Sequence, residues 1–320
     1  MKTLVFNMLT IAATFAAMTA CTSESDPVDE VQTKGKTPIE FSSSILGVQT
    51  KAIVSDDQFQ DGQKIGIYGY KTAEPSSDYL TTNFINNKEF TYSGSTFTAT
   101  DAYWERDATH FFYAYYPVAS TTADPTGYQL TEATNSVAPS VKVVCQKDSG
   151  IDQDLLWAQP ASNGFQFSGV SVNNVSLPFS HKLSQVKFLI KLENTNIPTS
   201  ALTKISLNVD KSEGSLNIIT GELTETGSSV ALSKTISSTD ITVAGINCDN
   251  YNPLVLPSSI ISDLKVTINN QELPVTLTTA PALVAGKITT ITITVKPTNV
   301  IMESSITQWG DGGTPGVGEV

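Results

Sequence analysis

The sequence predicts an all-β fold, and three observations carry that expectation. The chain of 320 residues is rich in Ser, Thr, Val and Ile, a mix that favours strands over helices. Short apolar/polar alternations are punctuated by turn signals at roughly 8–12-residue spacing, the pattern of antiparallel sandwiches. Beyond Met1–Ala20, no window sets apolar residues at i, i+3, i+4 and i+7 for long enough to make an amphipathic helix.

The strands follow in order. Lys64–Tyr70 alternates, with Ile65, Ile67 and Gly69 on one face. Thr91–Ser93 and Ser95–Ala99 read as a hairpin turning at Gly94. His110–Tyr116 is an aromatic strand stopped by Pro117, which has no N–H to give a ladder. Alternation there predicts that half of the rings enter the core. In Leu183–Leu192, Val186, Phe188, Ile190 and Leu192 share one face and Gln185, Lys187 and Lys191 the other. Ile205–Val209 and Leu264–Ile268 come next, the latter turning at Asn269-Asn270 into Leu273–Leu277. Ile288–Val295 closes the series with its threonines outward. Antiparallel sheets with one wet face produce such alternation.

A prior of about 150 residues per domain suggests two domains. The break is placed near Phe179-Ser180-His181, where an aromatic-rich half gives way to one rich in Thr, Ile, Val and Leu. This gives an N-terminal sandwich over 38–180 and a C-terminal one over 181–309. Residues 310–320 are too Gly-rich for a strand and read as a flexible tail.

The N-terminus is an address. Residues 1–20 carry one cation, Lys2, followed by an uncharged apolar run, as in a secretory signal peptide. The run ends in Met18-Thr19-Ala20-Cys21, similar to the lipobox of bacterial lipoproteins, with Met in place of the commoner Leu. Cys21 is therefore the expected lipidation site, and outer-membrane lipid an expected partner. Residues 21–37 are polar, acidic and Pro-containing, and read as a tether.

Composition excludes other classes. The net charge is −12, and among 19 basic residues only Arg106 is an arginine. Nucleic acid needs a basic face, so it is not an expected partner. HExxH, GxSxG, GxGxxG, a complete P-loop and CxxC are all absent, so no catalytic residue, metal or cofactor is expected. Asp152-Gln153-Asp154 reads as a polar turn rather than a carboxylate dyad, and Arg106 as the partner of a neighbouring carboxylate. His110 and His181 fall in different elements. Cys145 and Cys248 fall in different domains, which favours two buried free thiols over a bridge.

An ordered set of short motifs resembles the fimbrillin family of Bacteroidetes type V pili. After the lipobox come Ile39-Glu40-Phe41, Thr50-Lys51-Ala52, Ile65–Tyr70, Phe112–Pro117 and Asp154–Ala158. Leu177–Leu183 and Ile306-Thr307-Gln308-Trp309 complete the set. The resemblance implies two transthyretin-like β-sandwich domains and a surface lipoprotein whose subunits polymerise by strand exchange. A protease removes the N-terminal strand, and a neighbour's C-terminal strand fills the groove. Mapped here, the removable strand is Pro38–Ile45, with Ile39, Phe41 and Ile45 inward. The cut falls between Lys51 and Ala52, where Lys replaces the family's usual Arg, so this member is either cut by a Lys-specific enzyme or keeps its strand. The donor is Asn299–Trp309, with Val300, Met302 and Ile306 as pocket fillers; the same segment could be an ordinary closing strand. The implied role is a structural or accessory subunit of a cell-surface fimbria, with other fimbrillin subunits and host or bacterial surface ligands as partners. The alternative is a surface glycan-binding lipoprotein that exposes Trp104, Tyr113 and Tyr115 as a stacking platform.

Overall fold

The computed structural model describes residues 36–46, 58–73, 75, 78–124, 126–159, 163–169, 175–193, 197–237, 241–242, 245–247, 251–276, 280–296 and 300–308. The leader, Cys21, most of the acidic tether, Lys51, Ala52, Cys248 and the tail 310–320 lie outside these residues. Among the described residues the regular structure is strand, save one 3₁₀ turn at Thr199–Ala201, and no helix is long and apolar enough to cross a membrane.

Ten strands come from the first half of the chain: β1 (Phe41–Leu46), β2 (Lys64–Tyr70), β3 (Asn83–Ser93), β4 (Thr96–Thr98), β5 (Ala108–Tyr116), β6 (Tyr128–Thr131), β7 (Ser140–Val144), β8 (Leu156–Ala158), β9 (Phe165–Phe167) and β10 (Val175–His181). Twelve come from the second: β11 (Ser184–Leu192), β12 (Leu202–Val209), β13 (Glu213–Asn217), β14 (Leu223–Thr226), β15 (Val230–Thr235), β16 (Ile241–Thr242), β17 (Gly245–Asn247), β18 (Leu254–Val255), β19 (Ile261–Ile268), β20 (Gln271–Pro274), β21 (Lys287–Val295) and β22 (Val300–Gln308).

Seven of the first ten close on themselves. They pair in the order β2-β3-β4-β1-β10-β8-β5, and β5 pairs back onto β2. Inside this ring lies an aromatic core that includes Phe41, Phe90, Phe97, Phe112 and Phe179. Closing the ring leaves β1 and β4 no free flank where they meet, and unpaired edges are costly.

In the second half, β16-β17-β11-β21-β22 form one sheet and β15-β12-β19-β20 another. Val186, Phe188, Ile190, Ile291 and Ile293 of the first share one core with Ile205, Leu207, Val209, Leu264 and Val266 of the second. A further sheet, β14-β13-β7-β6, mixes strands from both halves: β7 pairs with β13 from Val144↔Glu213 to Ser140↔Asn217.

The same core runs on from these sheets to the outer face of the ring, taking in Tyr68, Tyr70, Tyr113, Tyr115, Leu155 and Trp157. The wall formed by β2, β5 and β8 is therefore buried on both sides. Its inner face shows Ile65, Ile67, Phe112, Ala114, Leu156 and Ala158. This explains why His110–Tyr116 is buried at every position, where alternation with one wet face predicts only half. Two aromatic rings cross over glycines of β2: a Cβ at Gly66 would collide with the Tyr115 ring of β5, and one at Gly69 with the Phe84 ring of β3.

Three other expectations are corrected. The sheets are not purely antiparallel, because β1 runs parallel to β10 and β11 parallel to β21. Each parallel pair joins strands separated by a long stretch of chain, as a crossover requires. Gln185 is buried rather than outward, lying where β18 covers the start of β11. In β21 the inward set is Thr289, Ile291, Ile293 and Val295, so Thr289 is buried and Ile288 sits on the other face. The Thr289 hydroxyl is satisfied by donating to the Ala282 carbonyl at 3.0 Å.

Candidate functional site

The ring closes through β1. On one flank β1 pairs with β10 from Phe41↔Val175 to Leu46↔Ser180; on the other it meets β4 at one position, Phe41↔Phe97. The residues just before it are fastened to a neighbouring segment. Ile39 N–H donates to the Ala102 carbonyl and Trp104 N–H to the Thr37 carbonyl, each at 3.0 Å, around a bridge from Pro38 to Tyr103.

Side chains along this stretch alternate as a half-buried strand should. Ile39 and Phe41 are fully buried, Ser43 and Ile45 are half-buried, and Pro38, Glu40 and Ser44 are exposed. The Phe41 ring stands edge-on to Phe90 and to Phe112, each at 4.9 Å between centroids, a favoured aromatic geometry. Ile45 packs against the rim of the same core. All three inward residues of the candidate strand thus touch the ring interior, with burial decreasing from the N-terminal end.

At the other end of the chain, β22 pairs with β21 over nine positions without a register shift, from Val295↔Val300 to Lys287↔Gln308. It is the outermost strand of its sheet. Ile306 is register-paired with the buried Thr289, and Ser304 with the buried Ile291, so both lie on the core-facing side. Ile306 is nevertheless 47% exposed, and Ser304 is exposed. The opposite layer does not cover this end of the edge strand. Val300 and Met302 are described in backbone position alone.

The aromatic platform does not exist. Trp104, Tyr113 and Tyr115 are 7%, 2% and 0% exposed, because apolar layers cover the wall from both sides. The two tyrosine hydroxyls are used internally: that of Tyr115 donates to Asn87 Oδ1 at 2.7 Å, and that of Tyr113 donates to the Ala73 carbonyl.

The structure joins two residues that sequence reasoning kept apart. Asp154 and His181 are hydrogen-bonded through Oδ2 and Nδ1, and both side chains are buried. Burial pushes the Asp154 carboxyl up, and its contact with His181 opposes that shift. A carboxylate-oriented imidazole is part of a nucleophile relay, which also needs a hydroxyl beside the ring and an open cleft. Here the His181 and Asp154 side chains are 7% and 3% exposed, and the nearby Ser180 hydroxyl donates instead to the Trp157 carbonyl at 3.2 Å. The pair is built into the wall. Its members lie 27 positions apart, and no spacing rule links them.

His110 is similarly interior. Its Nε2 accepts from the Glu105 N–H and its Nδ1 lies against the Phe165 carbonyl, both at 3.3 Å, which assigns the neutral Nδ1–H tautomer. Burial holds its pKa below the usual histidine range. Arg106 lies 3.8 Å from Asp107 and is exposed, as its neighbours in sequence imply. Cys145 is buried and free, with burial pushing its thiol up to about 12. Among the described residues, no three His, Cys, Asp or Glu side chains converge on a metal position.

A family model described as fimbrillin-like matches residues 50–309. A candidate cell-adhesion protein from Bacteroides uniformis is similar over 85% of this chain and 99% of its own, at 21% identity and a TM-score of 0.55. One from Bacteroides ovatus is similar over 86% and 98%, at 17% identity and a TM-score of 0.57. A fimbrial protein from Bacteroides vulgatus is similar over 84% and 99%, at 15% identity and a TM-score of 0.52. At these identities the likeness is one of fold. No curated protein matches the chain.

Proposed function

This chain belongs to the fimbrillin-like family, and from that membership we propose that it is a non-catalytic structural or accessory subunit of a cell-surface fimbria supporting adhesion. It enters the outer membrane as a precursor lipidated at Cys21 and assembles by donor-strand exchange. In this reading the body comprises two transthyretin-like sandwiches that meet at Ser180-His181, with the mixed sheet of β6, β7, β13 and β14 as their seam.

One observation supports the proposal: β1, the first of the described strands, closes the ring between β4 and β10. Cleavage between Lys51 and Ala52 severs it from the body. Its loss leaves the flank of β10 from Val175 to Ser180 without a ladder, and leaves cavities where Ile39 and Phe41 sit. Unpaired buried backbone groups and empty apolar pockets are both unfavourable, so a replacement strand is bound strongly. Strand addition satisfies both, through main-chain hydrogen bonds and alternate side chains. The donor is β22 of a second copy, an edge strand of its sheet that exposes Ile306.

The alternative of a glycan platform has lost the residues on which it stood. The test is intact-mass and N-terminal analysis of the protein from its native outer membrane. An N-terminus at Ala52 in SDS-resistant multimers is the expected result for a polymerising subunit. A lipidated Cys21 on an uncut chain identifies an anchor or accessory subunit. An unlipidated chain cut elsewhere and always monomeric overturns the reading.

A further inference from the structure

We infer that cleavage does not by itself open the groove: β1 stays seated as a non-covalent plug, and an incoming strand displaces it directionally, starting at its Ser44–Ile45 end. This inference rests on the strand-exchange reading above and concerns how that site is regulated.

The hold on β1 is unequal along its length. At the N-terminal end it is flanked on both sides. Residues 37–39 are stitched to 102–104, Phe41 meets Phe97 of β4, and β10 occupies the other flank. Ile39 and Phe41 are fully buried there, with Phe41 locked between Phe90 and Phe112. From Ser42 to Leu46 only β10 pairs with the strand among the described residues, because β4 is three residues long. Burial falls in step: Ser43 and Ile45 occupy the inward phase but are half-buried, where Ile39 and Phe41 are fully buried.

Two consequences follow. A cut strand loses only its chain connection, while its paired backbone and buried side chains remain, so its residence is that of a tightly bound peptide. The weak end is the one nearest the cut, held among the described residues by the β10 ladder alone, so a competing strand takes over β10 there before β1 has fully left. Exchange then runs from Ile45 toward Ile39, and no intermediate exposes the whole groove. Such a sequence keeps an aggregation-prone edge covered until a partner arrives.

The test exploits the single arginine. A full chain carrying Lys51→Arg and Arg106→Lys has one arginine, so an Arg-specific protease cuts it once. After cutting, gel filtration with intact-mass detection follows the fragment that ends at residue 51. The expected result is co-elution with the body, and release accelerated by at least about tenfold when a synthetic peptide of residues 299–309 is added in excess. Prompt release without peptide overturns the plug while leaving strand exchange intact. Retention that the peptide never shortens overturns displacement and counts against the exchange reading itself. Hydrogen exchange on the uncut chain checks the direction: amides of Ser43–Ile45 are expected to exchange at least about tenfold faster than those of Ile39–Phe41. Equal or reversed protection overturns the stated order.

Discussion

Gly66 shows how one residue sets a local structure. It lies mid-strand in β2, where glycine is normally unfavourable, and it is there because the Tyr115 ring passes over its Cα. Gly66→Val is expected to destabilise the chain by about 2–3 kcal/mol by overpacking, read as a lower thermal midpoint. His110 makes a second residue-scale prediction. Its folded pKa lies below the unfolded value of about 6.5, so the unfolded state binds more protons in that range. The stability it contributes is fully present above that pH and is lost as pH falls from there through the lowered folded value. Urea unfolding at pH 7.5 and pH 5 measures this, and His110→Phe is expected to flatten the difference between the two pH values. Neither residue announces itself in sequence. Gly69 was legible as part of a strand, but the rings that cross Gly66 and Gly69 come from other strands, and only the tertiary pairing shows them.

At the scale of elements, β1 carries the clearest expectation. Phe41→Ala removes a fully buried ring that touches two others, and is expected to cost about 3–5 kcal/mol. Ile45→Ala, at the half-buried end, is expected to cost distinctly less, and paired denaturant titrations compare the two. The strands themselves were readable where one face is wet. In β12 from Ile205 and in β19 from Leu264 the buried positions fall every second residue, and apolar alternation marks them. The signal failed where both faces are dry. His110–Tyr116 carries no polar face to reveal its pairing, so its rings were open to being read as a surface platform. The parallel partners of β1 and β11 were also hidden, since alternation specifies which face is buried but not which strand lies alongside.

For the whole molecule, the decisive feature is that one apolar core reaches from the ring wall through the mixed sheet into the second half. The indole N–H of Trp157 donates to the Ile218 carbonyl at 2.8 Å, and Lys182 donates to the Gly221 carbonyl at 2.8 Å while lying over the Trp157 ring. These contacts tie the chain on either side of His181 to the turn between β13 and β14. Thermal unfolding is therefore expected to be a single calorimetric transition, with van't Hoff and calorimetric enthalpies equal. Two resolved transitions would show that the halves melt independently. Trp157→Ala is expected to lower the midpoint without splitting the peak. The composition shift near His181 was visible in sequence, but the β7–β13 pairing was not, because those strands lie far apart along the chain.

That pairing has a mechanical consequence. Under the proposed function the chain is a link in a surface fibre, pulled lengthwise by flow, and tension passes through it from one neighbour to the next. Were the two halves joined only by the covalent passage from β10 to β11, that short passage would stretch first. With the backbone of β7 hydrogen-bonded to β13 beside it, the strain is shared across a sheet whose bonds must break together. In the fibre proposed above, such a subunit would act as one stiff link, with the compliance at the strands exchanged between neighbours.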